Sequence, residues 1–333
     1  AGYDLPTIDG EAAMSKVQAT LAQGSARRSV SAKKLREALD AYSMLLPTIL
    51  GVVVFFAVPL GMSLYLSFTN SRLAGETRFI GLENYANVLS DRIFYESLWN
   101  TFVFSAATMV LSMIPALLLA VFLNEQLRGR AFFRTLFFIP VVASVVAVSL
   151  LWKYLLNFDF GFLNYALSLV GLSRQSWLTS IETSFLGIPL PMWSVILVFS
   201  WKTVGYNMVI FLAGLQGISR QLYEAASIDG ASRWQQFMKI TVPMLSPTSF
   251  FVLVTTLINC LQVFDVPFAL GWTRSNNAGP ADSMLTVVVN LYREGFISFR
   301  MGYASAMAWV LTIMILIITF VQFRVSNRWV NYE

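Results

Sequence analysis

Long stretches of this chain contain no Asp, Glu, Lys or Arg, and these stretches restrict its fold more than any other feature. The uncharged ranges are 41–71, 97–124, 135–152 and 301–323. About 20 consecutive apolar residues, wound as a helix, cross the roughly 30 Å hydrocarbon layer of a bilayer. Each of these ranges is therefore predicted to be a transmembrane segment.

Two further apolar ranges carry a single charge each. The range 183–219 contains Lys202, and the range 240–273 contains Asp265. An unpaired backbone polar group is costly in lipid, and the ranges lack the alternation of apolar and polar residues that a barrel strand needs. We therefore predict an all-α integral membrane protein with six transmembrane helices. The composition agrees, since 56% of the residues are hydrophobic and only 12% are charged.

The connections between the predicted helices differ in their content of Lys and Arg. Basic residues are concentrated in 16–36, 128–134, 220–239 and 324–328, which fall on one side of the membrane if the helices alternate in direction. Connections rich in positive charge remain on the cytoplasmic side. The sequence therefore predicts that both termini are cytoplasmic. This topology, rather than affinity for nucleic acid, explains the formal net charge of +5.

The chain divides into three parts by composition. Residues 1–40 predict a cytoplasmic N-terminal tail, in which 32–40 forms either a short amphipathic helix at the membrane face or an unstructured basic segment. No apolar signal-peptide core precedes the first uncharged range, so no cleavable signal peptide is expected. Residues 41–328 form the predicted transmembrane domain, and residues 329–333 form a short cytoplasmic tail.

Several kinds of chemistry are excluded by residues that the sequence does not contain. It has no histidine and a single cysteine, Cys260, so it cannot form a Ser-His-Asp triad, an internal disulfide or a thiolate metal cluster. We expect Cys260 to be a small packing residue. The sequence Gly-x-x-x-x-Gly-Lys-Ser/Thr does not occur, so the chain has no Walker phosphate-binding loop. If ATP drives this protein, another subunit must bind it.

The connection between the fourth and fifth predicted helices, about 217–242, contains a polar helical segment. This helix is predicted to end at Asp229-Gly230, because glycine adopts the positive φ of a helix C′ position without steric cost. A second helix is predicted at 232–239, and Pro243 marks a point where a membrane helix begins or bends. Such a segment offers a contact for a soluble cytoplasmic partner. An ordinary amphipathic loop on the membrane surface is the alternative.

The spacing of residues in this loop resembles the EAA motif of permease subunits in bacterial binding-protein-dependent ABC importers. The motif positions are occupied by Glu224, Ala225, Ala226, Asp229, Gly230, Ile240 and Pro243, with Val242 in place of the usual Leu. Similar stretches occur at 79–85, 100–101, 211–216 and 302–306, and they favour the carbohydrate-uptake branch, which includes the maltose-type permeases. The resemblance identifies the loop as a coupling helix that contacts the ATPase.

The same resemblance implies an assembly and a location. The chain is expected to work with a second permease subunit, non-identical in many relatives, and with two ATPase subunits that bind ATP and magnesium. An extracytoplasmic solute-binding protein is expected to deliver a sugar or oligosaccharide. The expected location is the bacterial inner membrane, in contact with lipid. The chain itself is expected to bind no cofactor and to catalyse no reaction.

Polar side chains in the fourth and fifth predicted helices are candidates for a substrate passage. The candidates are Lys202, Tyr206, Asn207, Asn259, Gln262 and Asp265. Ionisable groups within the hydrocarbon usually face a cavity or a partner, so Lys202 and Asp265 either pair with each other or line a passage. A sugar needs hydrogen-bonding groups for its hydroxyls and aromatic faces for its C–H surfaces. Hydrogen bonding between helices is the alternative role for each amide.

Resemblance to the maltose-type permeases implies sugar contacts at Tyr206, Asn259 and Gln262. The charge of the substrate stays open at this point. Lys202 is suited to attract an acidic sugar such as a uronate, whereas similar permeases with a lysine at this place carry neutral sugars.

Two other functions are alternatives to an ABC importer subunit. An ion-coupled secondary transporter typically has several intramembrane carboxylates and internal repeats, whereas Asp265 stands alone here and no repeat is evident. An intramembrane enzyme needs a nucleophile–base pair or metal ligands, and the absence of histidine leaves it only unusual Ser-Lys or Asp chemistry.

Overall fold

A computed structural model of the chain describes residues 37–72, 77–125, 128–273 and 277–326. The tail predicted at 1–40 lies outside the described residues up to position 36, as does most of the amphipathic helix predicted at 32–40. The C-terminal tail at 329–333 also lies outside them. The chain separates into two compact units, one ending at Ser63 and the other beginning at Leu64.

The described residues are almost entirely helical. The helices are α1 Glu37–Ser67, α2 Glu83–Ser90, α3 Arg92–Asn124, α4 Arg130–Val142, α5 Val145–Leu155, α6 Phe162–Leu169, α7 Leu190–Gln216, α8 Arg220–Ile228, α9 Arg233–Met244, α10 Ser246–Leu261, α11 Asp265–Gly271, α12 Val287–Tyr292 and α13 Met301–Ser326. Two-residue strands β1 Ser184–Phe185 and β2 Ile188–Pro189 form an antiparallel hairpin before α7. Short π-helical stretches lie within α1 and α9 and after α12, and a 3-10 turn spans Pro280–Asp282.

Within the described ranges, α1, α3, α7 and α13 are each long and apolar enough to cross a membrane. Two bent pairs of helices also qualify if each pair is one span, so the described residues contain four to six segments that are long and apolar enough to cross a membrane. The apolar side chains of α1 are exposed along its length. Exposed apolar side chains on a helix of this length suit a lipid environment.

The third predicted span is not a straight helix. It consists of α4 and α5, which meet at an angle of 100° at Ala143 and Ser144. The prolyl residue Pro140 lies in the last turn of α4 and donates no backbone hydrogen bond. Membrane helices break where other groups can pair with the released carbonyls, and a side chain of α7 provides that pairing here.

The fifth predicted span, 240–273, is interrupted twice. The helices α9 and α10 form an angle of 62° next to Leu245, two residues after Pro243, so the predicted bend at this proline is confirmed to within two positions. The chain is also non-helical between α10 and α11, at Gln262, Val263 and Phe264. This second break was not predicted from the uninterrupted apolar sequence.

The core of the second unit forms where α3 packs along α7. The face of α3 that is buried there consists mainly of small side chains spaced three or four residues apart: Ser97, Thr101, Ser105, Thr108, Ser112, Ala116 and Ala120. Small residues allow membrane helices to approach closely, and van der Waals contact drives such packing where lipid replaces water. The sequence of α3 thus explains why it holds α7 in place.

The stretch around Asn84 connects the segment after α1 to the start of α13. The Asn84 side-chain amide donates to the carbonyls of Ser67 and Thr69, each at 2.9 Å. A Cβ atom at Gly302 would collide with the Thr69 carbonyl, so only glycine permits this approach of α13. Two of the stretches that carry the family resemblance, 79–85 and 302–306, therefore meet in one structural contact.

Candidate functional site

A cavity of about 600 Å³ lies among the middle of α7, the break between α4 and α5, and the break between α10 and α11; we call it the central cavity. Its polar lining consists of Lys202, Thr203, Tyr206, Asn259, Gln262 and Asp265. Its apolar lining includes Phe199, Phe264 and valines at the two helix breaks. The volume is in the range of small-molecule sites, and the combination of aromatic faces with a few polar groups is typical of them.

The break after α10 places two of the polar side chains in the cavity. Gln262 is the residue at which α10 ends, and Asp265 begins α11. Both side chains are exposed, as is Asn259 one turn earlier. A regular helix through this region would direct residues 262 and 265 along one stripe. The break instead turns the chain, so that residues 262–266 form a continuous part of the wall.

Lys202 pairs with the backbone of the bent span. Its Nζ donates to the carbonyl oxygens of Pro140 and Val141 at 3.1 Å and to that of Ala143 at 3.0 Å. An ammonium group has three N–H donors, and these contacts use all of them. A cation at the C-terminal end of α4 also interacts favourably with the helix dipole.

Lys202 and Asp265 line the same cavity, but the described residues include no ion pair between them within 4.0 Å. Of the two arrangements expected from the sequence, direct pairing is therefore absent from this structure. The amine is held by carbonyls instead. The cavity retains one cationic and one anionic group on different walls.

Asn207 has surroundings unlike those of the other candidate passage residues. It is buried, and its amide lies 3.3 Å from Thr256 Oγ1 on α10 and 3.5 Å from Ser112 Oγ on α3. This is the interhelical hydrogen bonding that the sequence left open as the alternative for each amide. Tyr206, the preceding residue, is 43% exposed and faces the cavity.

Sequence reasoning identified Tyr206 but missed the two phenylalanines of the lining, Phe199 and Phe264. Phe199 lies on α7 one turn before Lys202 and Thr203, so helical periodicity extended backwards from Lys202 and Tyr206 identifies it. Phe264 offers no such signal, because its exposure to the cavity results from a break that the sequence pattern does not mark.

The loop after α7 forms two short helices joined by a tight turn. The helix α8 ends at Ile228, and Gly230 has φ of +75°, which confirms the predicted helix stop. A capping box formed by Ser232 and Gln235 begins α9. Trp234 and Phe237 contact each other there, with ring centroids 5.8 Å apart, as their spacing predicts.

The helix α8 contains no buried residue. The side chain of Glu224 is 64% exposed and lies 3.4 Å from Arg220, one turn earlier. Ala225, Asp229 and the 87% exposed Ile228 extend this surface, and Ala226 is half-buried. The structure separates the other two motif positions from it, because Ile240 and Pro243 belong to α9.

Hydrogen bonds connect α8 to α9. Tyr223 Oη lies 2.9 Å from Thr241 Oγ1, and the Gln236 side chain donates to Ser227 Oγ at 3.0 Å. The turn at Gly230 joins the same two helices covalently. The helix α8 is therefore held against α9, and α9 is followed directly by α10, whose C-terminal end borders the central cavity.

Long apolar helices around a polar cavity, with an exposed amphipathic helix between two of them, define a helical membrane permease. Residues 93–331 match the family described as "Binding-protein-dependent transport system inner membrane component". The chain belongs to this family of ABC transporter permeases, and it is an integral protein of the inner membrane.

Several proteins that are similar over most of this chain are transport subunits. The chain is 37% identical to the probable ABC transporter permease protein YesP of Bacillus subtilis. The alignment of 300 residues covers 90% of this chain and 94% of YesP. It is 33% identical to the arabinooligosaccharides transport system permease protein AraP of Bacillus subtilis, over 86% of this chain and 88% of AraP. It is 34% identical to the sn-glycerol-3-phosphate transport system permease protein UgpA of Agrobacterium fabrum, over 87% and 96% of the two chains.

A solved structure shares the fold. It is the crystal structure of a bacterial ABC transporter involved in the import of the acidic polysaccharide alginate, with a TM-score of 0.77 and 26% identity over 89% of this chain and 98% of the other. A related crystal structure contains the bacterial alginate transporter in complex with a pentasaccharide-bound periplasmic protein, with a TM-score of 0.75.

Proposed function

We propose that this chain is a permease subunit of an ATP-driven importer for a sugar or oligosaccharide, and that the central cavity is part of the passage. The observation that carries the proposal is the grouping of Tyr206, Asn259, Gln262 and Asp265 around one cavity of about 600 Å³. Relatives named for arabinooligosaccharide and alginate import support a saccharide substrate.

The side chains of the central cavity match the surface of a sugar. Asn259 and Gln262 each offer both hydrogen-bond donors and an acceptor, and Asp265 offers acceptors. Tyr206 and Phe199 supply aromatic faces on which the C–H surface of a pyranose or furanose ring can stack. We assign the positioning of substrate to these residues.

Lys202 has a different role in this proposal. Because its three donors are engaged by the carbonyls of the bent span, it shapes the cavity wall and contributes positive potential without a free N–H for the substrate. Asp265 offsets that potential with one negative charge. The substrate class at this site is therefore set by hydroxyl contacts rather than by net charge.

The exposed surface of α8 is the proposed contact for the ATPase. In the proposed topology both termini and α8 are cytoplasmic, and residues 41–328 form the transport domain. Two ATPase subunits bind ATP and magnesium, a second permease subunit completes the membrane pathway, and a solute-binding protein delivers the substrate. Closure of the ATPases moves α8, and the hydrogen bonds from Tyr223 and Gln236 carry this movement through α9 to α10.

The assembled complex provides the test. The chain is co-expressed with its partner permease, ATPase and binding protein, and reconstituted into lipid nanodiscs and proteoliposomes. ATP hydrolysis and uptake are measured with arabino-oligosaccharides, lactose, alginate oligosaccharides of graded length, and glycerol 3-phosphate. The proposal expects a saccharide to stimulate hydrolysis and to enter the vesicles. Stimulation by glycerol 3-phosphate alone, with no response to any saccharide, overturns it.

A further inference from the structure

A second cavity, of about 480 Å³, lies at the other end of the helices that border the central cavity. The lining includes six side chains that can hydrogen-bond to a ligand or stack on it: Lys153, Asn157, Asp159, Trp177, Trp272 and Asn277. We infer that this second cavity is a separate saccharide-binding site, which substrate occupies before it reaches the central cavity. The inference rests on the proposed function, since it takes the transported molecule to be a saccharide.

The two cavities are connected by one pair of packed helices, α5 and α11. Val145 at the start of α5 lines the central cavity, whereas Lys153 near its end lines the second. Along α11, Asp265 lines the central cavity and Gly271 lines the second cavity. Lys153 follows Val145 by eight residues, which span roughly 12 Å in a helix, so the two cavities lie about this far apart along α5.

Buried Asn164 fixes two walls of the second cavity relative to each other. Its side-chain NH₂ donates to the carbonyls of Phe158 and Gln175 at 3.1 and 3.0 Å. Its Oδ1 accepts from Trp177 Nε1 at 2.9 Å and from the Gln175 backbone N–H at 3.0 Å. With all these groups paired, the loop 157–159 and the indole of Trp177 are held in place before any ligand arrives. Such preorganisation lowers the entropic cost of binding a ligand, because these groups need no further ordering.

Hydrogen bonds and an ion pair also hold the opposite wall of the second cavity, which the segments 271–273 and 277–280 contribute. The Gly279 backbone N–H donates to the Gly271 carbonyl at 2.7 Å, and Asp282 accepts from the Ala278 backbone N–H at 2.9 Å. Asp282 in turn forms an ion pair with Arg293 at 2.8 Å. Trp272 packs on Phe268, with ring centroids 5.0 Å apart, and is half-buried. Its ring therefore has a fixed position at the edge of the cavity.

The lining suits a saccharide for the same reasons as the central cavity. Trp177 and Trp272 supply two immobilised aromatic rings, and the side chains of Asn157, Asp159 and Asn277 supply hydrogen-bonding groups. Lys153 differs from Lys202 in one respect. Among the described residues it donates a single long hydrogen bond, 3.4 Å to the Ala269 carbonyl, so its amine retains donors for a ligand.

The second cavity and the coupling helix α8 lie at opposite ends of α7. Ser194, in the first turns of α7, donates to the Trp177 carbonyl at 2.9 Å. The whole helix has 27 residues, which span roughly 40 Å, and α8 follows its C-terminal end. A site at the end remote from the ATPase contact is where a molecule released by a solute-binding protein first meets the permease.

The test measures protection of an introduced cysteine in the full complex in nanodiscs. Cys260→Ala removes the native thiol, and Thr179→Cys places a new one on the exposed lining of the second cavity. Ser173→Cys, exposed in the same loop but outside the cavity, is the matched control. The rate of labelling by a membrane-impermeant maleimide is measured with each saccharide of the panel, with and without the binding protein.

The inference expects the transported saccharide to slow labelling of T179C at least fivefold and to leave that of S173C unchanged. It expects Trp272→Ala or Lys153→Gln to raise the half-protecting concentration about tenfold in a variant complex that assembles, as shown by co-purification of all its subunits. If a variant fails to assemble, Asn277→Ala replaces it, and the same tenfold rise in the half-protecting concentration is expected.

Three results overturn the inference. The first is that the saccharide does not slow labelling of T179C although it is taken up normally, and the second is that it slows labelling of T179C and S173C equally. The third is that the binding protein without its ligand protects T179C as well as the saccharide does. In each of them the proposed function survives if a saccharide is still taken up. Absence of uptake for every saccharide in the wild-type complex is the separate failure of the proposed function.

Discussion

The amine of Lys202 lies 3.0 Å from the carbonyl oxygen of Ala143, at the point where the third apolar segment turns by 100°. Together with the contacts to Pro140 and Val141, this bond makes a half-buried cation part of the backbone structure of the bent segment. The same side chain lines the central cavity. The shape of the cavity therefore depends on a charge that the sequence alone assigned to substrate or to Asp265.

Replacement of Lys202 by methionine tests this role. The variant leaves three carbonyls without their donor, at about 1–3 kcal/mol for each acceptor that stays unpaired. We expect a lower melting temperature of the purified complex in detergent and loss of uptake. The control is Lys153→Met, which removes one long hydrogen bond and is expected to lower the melting temperature much less.

The double variant Lys202→Met with Asp265→Leu distinguishes this account from charge pairing. If the two charges stabilise each other, removal of both restores much of the stability lost in the single variant. We expect no restoration, because the carbonyls remain unpaired. A double variant as stable as the wild type contradicts the role assigned to Lys202.

The exposed carboxylate of Glu224 is the centre of the proposed ATPase contact. Glu224→Lys is expected to lower ATP-driven uptake by roughly tenfold or more, equivalent to ~1.4 kcal/mol, through weaker association or coupling. Stability is expected to change little, because an exposed pair one turn apart contributes little to folding. The measurements are uptake, co-purification of the ATPase and the melting temperature.

The chain contains a matched control for this substitution. Arg92 and Glu96 form another exposed pair one turn apart, at 2.7 Å, on α3 rather than on α8. Glu96→Lys makes the same charge change and is expected to leave uptake intact. Equal loss of uptake in the two variants refutes a specific contact at Glu224.

The isolated chain is expected to hydrolyse no ATP, because its sequence contains no phosphate-binding loop of the Walker type. Hydrolysis is measured on the purified subunit and on the full complex. Steady ATP hydrolysis by the isolated subunit, after removal of contaminating ATPases, contradicts the proposal that separate subunits bind and hydrolyse ATP.

Introduced cysteines on α7 and α10 provide a direct test of which side chains face the cavity. In a Cys260→Ala background, cysteines at Tyr206, Asn259 and Gln262 are expected to react with a water-soluble thiol reagent, at a rate that changes when ATP is bound. Asn207→Cys is the control, since residue 207 is buried between α3, α7 and α10. Similar reactivity at 206 and 207 shows that the cavity is not the water-filled passage proposed.

The sequence predicted the apolar segments and the helix stop at Gly230 because both depend on local properties. A run of apolar residues needs a lipid environment wherever it lies, and a positive φ of +75° favours glycine in any context. The bend near Pro243 also has a local cause, because the break at Leu245 lies in the turn before Pro247, which has no backbone N–H to donate.

The breaks at Ala143 and after Gln262 depend on tertiary partners and were not predictable in this way. Ala143 and Ser144 are compatible with a helix, and the turn between them persists because Lys202, about 60 residues later in the chain, pairs with the carbonyls. The contrast between Tyr206 and Asn207 has the same origin. Which of two adjacent residues faces the cavity is decided by the packing of α3 and α10 against α7, not by residue type.

The most direct measurement of the central claim is ATP-driven uptake of the stimulating saccharide by complexes that carry Gln262→Leu or Asn259→Leu. Each change removes hydrogen-bonding groups from the central cavity and keeps a side chain of similar size. Loss of one or two such bonds, at ~0.5–1.5 kcal/mol each, is expected to lower kcat/KM for uptake about tenfold, with basal ATP hydrolysis and assembly unchanged. Uptake at the wild-type rate in both variants contradicts the assignment of this cavity as the passage.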